Sequence, residues 1–262
     1  MPRILTRILI IALCLAPFVA VSGCGSQDTP ANTAGQSRDP ATRTYSKSPE
    51  STSLLLKDAS DALRARYASG EGAHFTMETT GVTSGHSIGM RAEGDIAFPD
   101  KARMTSSNYL TPQPVSVDVV TVGGKAFSRT PAGSGAWQNG DAGMPPPDPQ
   151  NIAGFMDYGR SSRNFGHENI NGHDTWDVQV DVDMVMLATD AMKRTSDPQL
   201  LKELEALKSS VVTVDFWIGA DDLAIYQMLV KTTNPLAGFD QAQDIFFTNW
   251  GQHVEITAPR EM

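Results

Sequence analysis

The chain is poor in cysteine, with two in 262 residues, and neither is placed to form a structural bridge. Cys14 falls inside an N-terminal apolar stretch and Cys24 directly after it, so the body beyond holds no thiol at all. A disulfide framework and a thiolate metal site are excluded there, and stability has to come from packing. Basic residues are also scarce, with 21 Lys and Arg against 30 Asp and Glu. That balance argues against nucleic acid as a partner and against a polybasic membrane patch. The N-terminal apolar stretch, Ile8 to Val21, is about 14 residues long, too short for the roughly 20 needed to span a bilayer. No repeat of solenoid period is evident.

What the N-terminus does contain is the layout of a cleaved export signal. Arg3 and Arg7 precede the apolar stretch, which ends in Val21-Ser22-Gly23-Cys24, a lipobox in which small residues lead to a cysteine. The expected cut falls before Cys24, whose thiol is then diacylated. Two acyl chains hold a protein stably at a bilayer surface where one does not, so residues 1–23 read as a lipoprotein signal and Cys24 as the lipid attachment. Loss of the signal leaves 19 basic against 30 acidic residues, a balance of −11. Residues 24–53 are rich in Ser, Thr, Pro, Gly, Asp and Gln and bury too little to fold. They read as a disordered tether, which places residues 54–262 in a single domain some tens of Å from the membrane.

The body opens with helical periodicity. Leu56, Ala59, Leu63 and Tyr67 share one face from about Thr52 to Ser69, with Ser51 or Ser53 as N-cap, Gly70 as the stop and Lys57, Asp58, Asp61 and Arg64 on the exposed face. After Gly70 the period falls to two, predicting strands at 74–82, 87–98, 102–109, 115–122 and 125–130, the last two joined at Gly123-Gly124. Residues 131–147 read as a loop, after which Asp148 caps a short helix through Met156, with Pro149 at its first position. A further hairpin turns at Asn171-Gly172 into the clearest strand, 175–183, where Trp176, Val178, Val180 and Val182 alternate with polar residues. Helices are predicted at 184–194 and 197–209, then a hairpin built on Val212–Ile218 and Tyr226–Val230, and two short strands around 245–247 and 254–256. The fold class is therefore α+β: a strongly curved antiparallel sheet of about ten strands, a half-barrel with helices packed in or over its concave face.

This order of elements resembles the mycobacterial LppX/LprAFG lipoproteins, relatives of the LolA and LolB lipoprotein carriers. The resemblance rests on the lipobox, His74-Phe75-Thr76-Met77 after the first helix, Gly94-Asp95-Ile96 followed by Pro99, and the run Gly166 to Gly172. It continues through Val214 to Gly219 with Asp222-Leu223, and the ending Asn249-Trp250-Gly251 to Ala258-Pro259. It implies a half-barrel that holds acyl chains of a lipid, glycolipid or lipoglycan and carries them within the cell envelope. The implied partners are that lipid, the membrane through Cys24 on its extracytoplasmic face, and an envelope transporter; the protein is expected to be a monomer without cofactor or metal, and not an enzyme. Strand alternation, not the resemblance, selects the cavity residues: Phe75, Met77, Ile88, Met90, Val117, Val119, Val178, Val180, Phe216, Ile218 and Met228. Met186 joins them from the helical insertion. A slip of one residue would exchange the whole set.

Three chemical alternatives have weaker grounds. Gly85-His86-Ser87-Ile88-Gly89 fits the G-x-S-x-G pattern, but a nucleophile elbow needs a helix directly after the serine, and Ile88 and Met90 continue a strand. His167, Glu168, His173 and Asp174 bracket a hairpin and share only their spacing with a metal site. Asp181 and Asp183 on one wet strand face suit solubility better than acid–base work. An interaction or sensor lipoprotein, with the same sheet as a filled core, is the alternative to the carrier.

Overall fold

The structure is a computed structural model that describes residues 45–83, 86–110, 115–130, 136–139, 145–234 and 238–259. The signal, Cys24 and most of the tether lie outside the described residues. Helix α1, Pro49–Ser69, starts earlier than its apolar spacing suggests, because Ser48 caps it by accepting from the Ser51 N–H and Pro49 occupies the first turn. It stops at Gly70, where a φ of 75° lets the chain leave in the left-handed region and the Gly70 N–H closes on the last carbonyls. Tyr45 is also buried and packs edge-on against Trp176, ring centroids 6.3 Å apart. Residues 45–53, assigned above to the tether, therefore belong to the folded body. Asp58 likewise leaves the exposed face expected for it: it is buried and accepts from the Tyr45 hydroxyl at 2.8 Å.

Eleven strands form one antiparallel sheet. Strands β1 (Gly72–Thr83), β2 (His86–Ala97), β3 (Lys101–Asn108), β4 (Val115–Val122), β5 (Lys125–Arg129) and β6 (Gln138–Asn139) meander outward to one edge. Helix α2 (Pro149–Asp157) follows, capped by Asp148, before the chain re-enters at the opposite edge as β7 (Gly159–Ile170). Strands β8 (His173–Val182), β9 (Val211–Gly219), β10 (Ile225–Asn234) and β11 (Phe239–Gln252) then return to the middle, where β11 pairs with β1. Helices α3 (Met184–Met192) and α4 (Pro198–Leu207) are inserted between β8 and β9. Edges remain at β6 and β7, so the half-barrel is open. The Gly123-Gly124 and Asn171-Gly172 turns both take positive φ at the two central residues, the geometry that matches strand twist.

Two strands depart from expectation. Strand β7 is polar along most of its length, as an edge strand can be, and its alternation is too weak to read. Strand β11 is one continuous 14-residue strand in place of two short ones, while Val254 and Ile256 lie outside any strand. Its pattern is hidden because Gln241 and Gln243 occupy buried positions in line with Ile245 and Phe247.

The main core lies between one sheet face and the helices, and Phe75 and Phe247 meet across the β1–β11 seam, both essentially inaccessible. A small second cluster on the other face joins Ala97, Val120 and Ile256. Truncating a fully buried phenylalanine removes its transfer free energy and leaves a cavity. Phe247→Ala is expected to lower the unfolding free energy by about 3–5 kcal/mol in urea titrations, whereas Val211→Ala, exposed at the start of β9, should change it by less than about 0.5 kcal/mol.

Candidate functional site: the concave face and the helix-walled cleft

Directly paired residues in an antiparallel ladder project on the same side of the sheet. The register links Val178, Phe216, Met228, Ile245, Met77, Ala92, Ser106 and Val117 in one row across eight strands. One pair further along the strands on one side run Ile218 on β9, Phe247 paired with Phe75, and Val119; on the other side Val180, Val214, Val230, Gln243, Thr79 and Met90 are linked, with Ile88 on β2 beyond. All eleven strand residues singled out by alternation thus share a single face. Phe75, Val178, Val180, Phe216, Ile218 and Met228 are fully buried, Met77 and Val119 nearly so, and Ile88, Met90 and Val117 half-buried. Met186 does not join them. Asp183 caps α3 by accepting from the Met186 N–H at 2.9 Å, and the resulting helix phase buries Met184 and Ala188 while leaving Met186 59 % exposed. Asp183 is accordingly a helix cap and does not share a strand face with Asp181.

A cleft of about 690 Å³ opens between the helices. Tyr67 of α1, Gly154, Phe155 and Tyr158 from α2 and its end, Leu187 and Ala191 of α3, and Leu200 of α4 supply apolar wall. Polar pairs sit at its rim. Arg64 of α1 forms a close ion pair with Asp157 of α2, which also accepts from the Ser60 hydroxyl at 2.9 Å. The Tyr158 hydroxyl donates to Asp190 at 2.6 Å, and Arg194 closes on the same carboxylate. These contacts set the titration of the rim: the Tyr158 hydrogen bond, then Arg194, holds Asp190 below its ordinary value, and Asp190 in turn raises Tyr158. Arg64–Asp157 and Arg194–Asp190 thus pair off at the rim, and the lining adds apolar wall together with Gln150, Asn151, Thr195, Ser196 and Asp197. No sequence pattern announces this cleft, although Gly154 in mid-helix is a local hint: a Cβ there would meet nothing within 4 Å.

The chemical alternatives find other roles. Ser87 lies within β2, and strand follows it. His167 contacts Asp174 at 2.9 Å, His173 stacks on Tyr226 at 3.9 Å, and Glu168 accepts from the Trp217 indole at 2.7 Å, so the four hairpin residues do not converge. Among the described residues no group of three or more His, Cys, Asp or Glu could hold a metal ion. Among the perturbed carboxylates of the outer face, which sequence reading missed, Asp177 is pushed up to about 6 by burial and then by the charges of Asp215 and Glu168. Asp215 has its own partners, Gln179 at 2.7 Å and Lys231 at 3.1 Å.

Comparison with known proteins places the fold. No family model matches the chain, and no curated protein matches it by sequence. Among solved structures it is similar to LprF from Mycobacterium bovis, at a TM-score of 0.51 and 16% identity over 82% of this chain and 99% of that one. It also aligns with the lipoprotein LppX from Mycobacterium tuberculosis, at a TM-score of 0.49 and 13% identity over 78% of this chain and 99% of that one. The chain thus has an LppX/LprAFG-like fold, as its sequence leads one to expect. No helix among the described residues is long and apolar enough to cross a membrane.

The raised Asp177 carries a pH signature. Its folded value exceeds the ordinary 3.8, so the folded state holds its proton over a window where the unfolded chain has lost it, and stability falls as pH rises from about 4 through about 6. Asp177→Asn is expected to stabilise the protein at pH 7.5 by on the order of 1 kcal/mol, after discounting for solvent screening, and to have no such effect below pH 4. Thermal unfolding at the two pH values checks this.

Proposed function

We propose that this protein is a membrane-anchored envelope lipoprotein that binds acyl chains between its helical cover and the concave face of its half-barrel, without doing chemistry on them. The observation that carries the reading is the helix-walled cleft of about 690 Å³, in which Phe155, Leu187 and Ala191 offer apolar surface within the helical cover. That size falls in the range of small-molecule sites, which are concave and mostly apolar. Affinity would come from burial at about 25 cal/mol per Å², which is non-directional and tolerant of chain variety. In this reading the cleft is the entrance, and the half-buried Ile88, Met90 and Val117 mark concave surface that the helices cover least. Phe75, Met77, Val119, Val178, Val180, Phe216, Ile218 and Met228 form the wall an acyl chain would meet when α3 and α4 move aside, with Met186 on the moving piece. Cys24 would supply the anchor on the extracytoplasmic face, and an envelope transporter would take or supply the cargo. The fold supports this only as architecture.

A second reading is favoured by the filling of the concave face: a packed interior suits an interaction or sensor module that carries no cargo. One variant separates the two. Gly154 lines the cleft and has open space where a side chain would project, and replacing a mid-helix glycine does not cost helix propensity. In the chain from residue 24 with Cys24→Ser, a fluorescent C16 fatty acid is expected to bind, and Gly154→Phe to weaken it at least about tenfold with an unchanged or higher unfolding midpoint. Failure of the unsubstituted protein to bind any acyl probe would support the interaction module instead.

A further inference from the structure

Strand β11 places two glutamines where the rest of its inward positions are apolar. Gln241 and Gln243 are 7% and 6% exposed, and the Oε1 atom of each is buried without a hydrogen-bond donor. The Gln243 amide nitrogen lies 3.0 Å from the Met77 sulfur and 3.3 Å from the Thr79 hydroxyl. Turning that amide over exchanges its ends and moves the unmet demand from acceptor to donor. Buried polar groups are normally paired, and an exception calls for a physical reason.

Their neighbours supply one. Gln243 is flanked by Val230 and Thr79, and Thr79 pairs onward to Met90; Gln241 is flanked by Thr232 and Gly81, and Gly81 pairs onward to Ile88. Met90 and Ile88 are half-buried on the concave face, so the unmet carbonyls lie in the same rows as incompletely buried apolar surface, two strands away. Neither row contains a lysine or arginine. Helix α4 connects this end of the face with the cleft: Leu200 walls the cleft, while the Ala206–Ser210 end is held by Asn234, which donates to Ser210 at 2.9 Å and to the Ala206 carbonyl at 3.3 Å. Asn234 lies two residues from Thr232 on the same face of β10.

We propose that Gln241 and Gln243 form a hydrogen-bonding subsite for a neutral, hydroxyl-bearing group attached to an acyl chain, such as the free hydroxyls of an acylglycerol or a glycolipid. This rests on the acyl-binding reading and adds selectivity to it. A hydroxyl both donates and accepts, so it meets an unpaired glutamine amide in either orientation, and without a cation in either row a phosphate or carboxylate finds no counter-charge. In the closed protein the demand is unmet; when α4 moves and ligand enters, the hydroxyls meet it.

The test compares three probes of one chain length on the chain from residue 24 with Cys24→Ser: 1-palmitoylglycerol, methyl palmitate and palmityl phosphate. The unsubstituted protein is expected to bind palmitoylglycerol roughly tenfold tighter than either of the others. Gln241→Leu/Gln243→Leu should bring that ratio to near one, leave methyl palmitate bound as well or better, and raise the unfolding midpoint by removing unpaired buried carbonyls. The unbranched Gln241→Met/Gln243→Met pair should lose the ratio in the same way. Binding of palmitoylglycerol and methyl palmitate with equal affinity, a preference for the phosphate, or a ratio that survives either double variant overturns the subsite while acyl binding stands. Binding of none of the three overturns the acyl-binding reading and the subsite with it.

Discussion

The pairing of the first strand with the last is the constraint on which the rest of the molecule depends. Residues 72–83 and 239–252 are separated by more than half the chain, yet they run antiparallel in register from Gly72 to Thr83 with one irregularity near the start. Without that seam the protein would be two meanders, each with one apolar face and no sheet wide enough to share a helical cover. With it, the apolar rows continue from β8 to β4, and Phe75 and Phe247 lock the junction. The seam must form by closing a long loop, so its contacts reward the chain only after most of the ordering entropy has been spent. That favours meanders that are already locally consistent, and the tight Gly123-Gly124 and Asn171-Gly172 turns serve this end.

A one-faced sheet then dictates what the helices do. Its apolar face must be covered by something, and in the closed protein that cover is α1 and α2 together with the inserted α3 and α4. An acyl chain that took the place of helix side chains would exchange one apolar contact for another, so most of the area it buried would bring little net free energy. Affinity then depends on surface that is not already satisfied: the helix-walled cleft and the half-buried positions on β2 and β4. The rim pairs Arg64–Asp157 and Tyr158–Asp190 suit such an arrangement. A half-exposed ion pair such as Arg64–Asp157 contributes little stability and a single hydrogen bond such as Tyr158–Asp190 about 1 kcal/mol, so they can fix where helices sit without making that position costly to leave.

Much of this was legible in the residues, and the exceptions share a cause. Strand β8 reads clearly because Val178, Val180 and Val182 alternate with polar residues over a buried face, and the same alternation placed all eleven strand candidates on one side. Met186 reads as a cavity residue from its place in the helical insertion, but the helix phase comes from Asp183 as cap and turns it outward. Asp58 reads as a surface residue until Tyr45, thirteen residues earlier, folds back onto it. The cleft was invisible because its walls come from α1, α2, α3 and α4, whose mutual placement no local period records. Strand β7 has two polar sides, as an edge permits, and offered no period at all.

Strand β11 is a different kind of exception. Its period is intact, but two of its inward positions carry amides, so a pattern that equates inward with apolar breaks at the residues that matter. A sequence specifies its fold when local pattern, packing and polar satisfaction agree, and places where they disagree tend to be places with another task. Two neighbouring inward glutamines with unmet carbonyls violate both pattern and satisfaction, in rows that otherwise hold Val230, Met90 and Ile88 beside threonine and glycine. A fold selected only for stability has no use for them there. In the proposed acyl-binding reading, their place in the rows of the half-buried Ile88 and Met90 would let recognition of a ligand account for both violations at once.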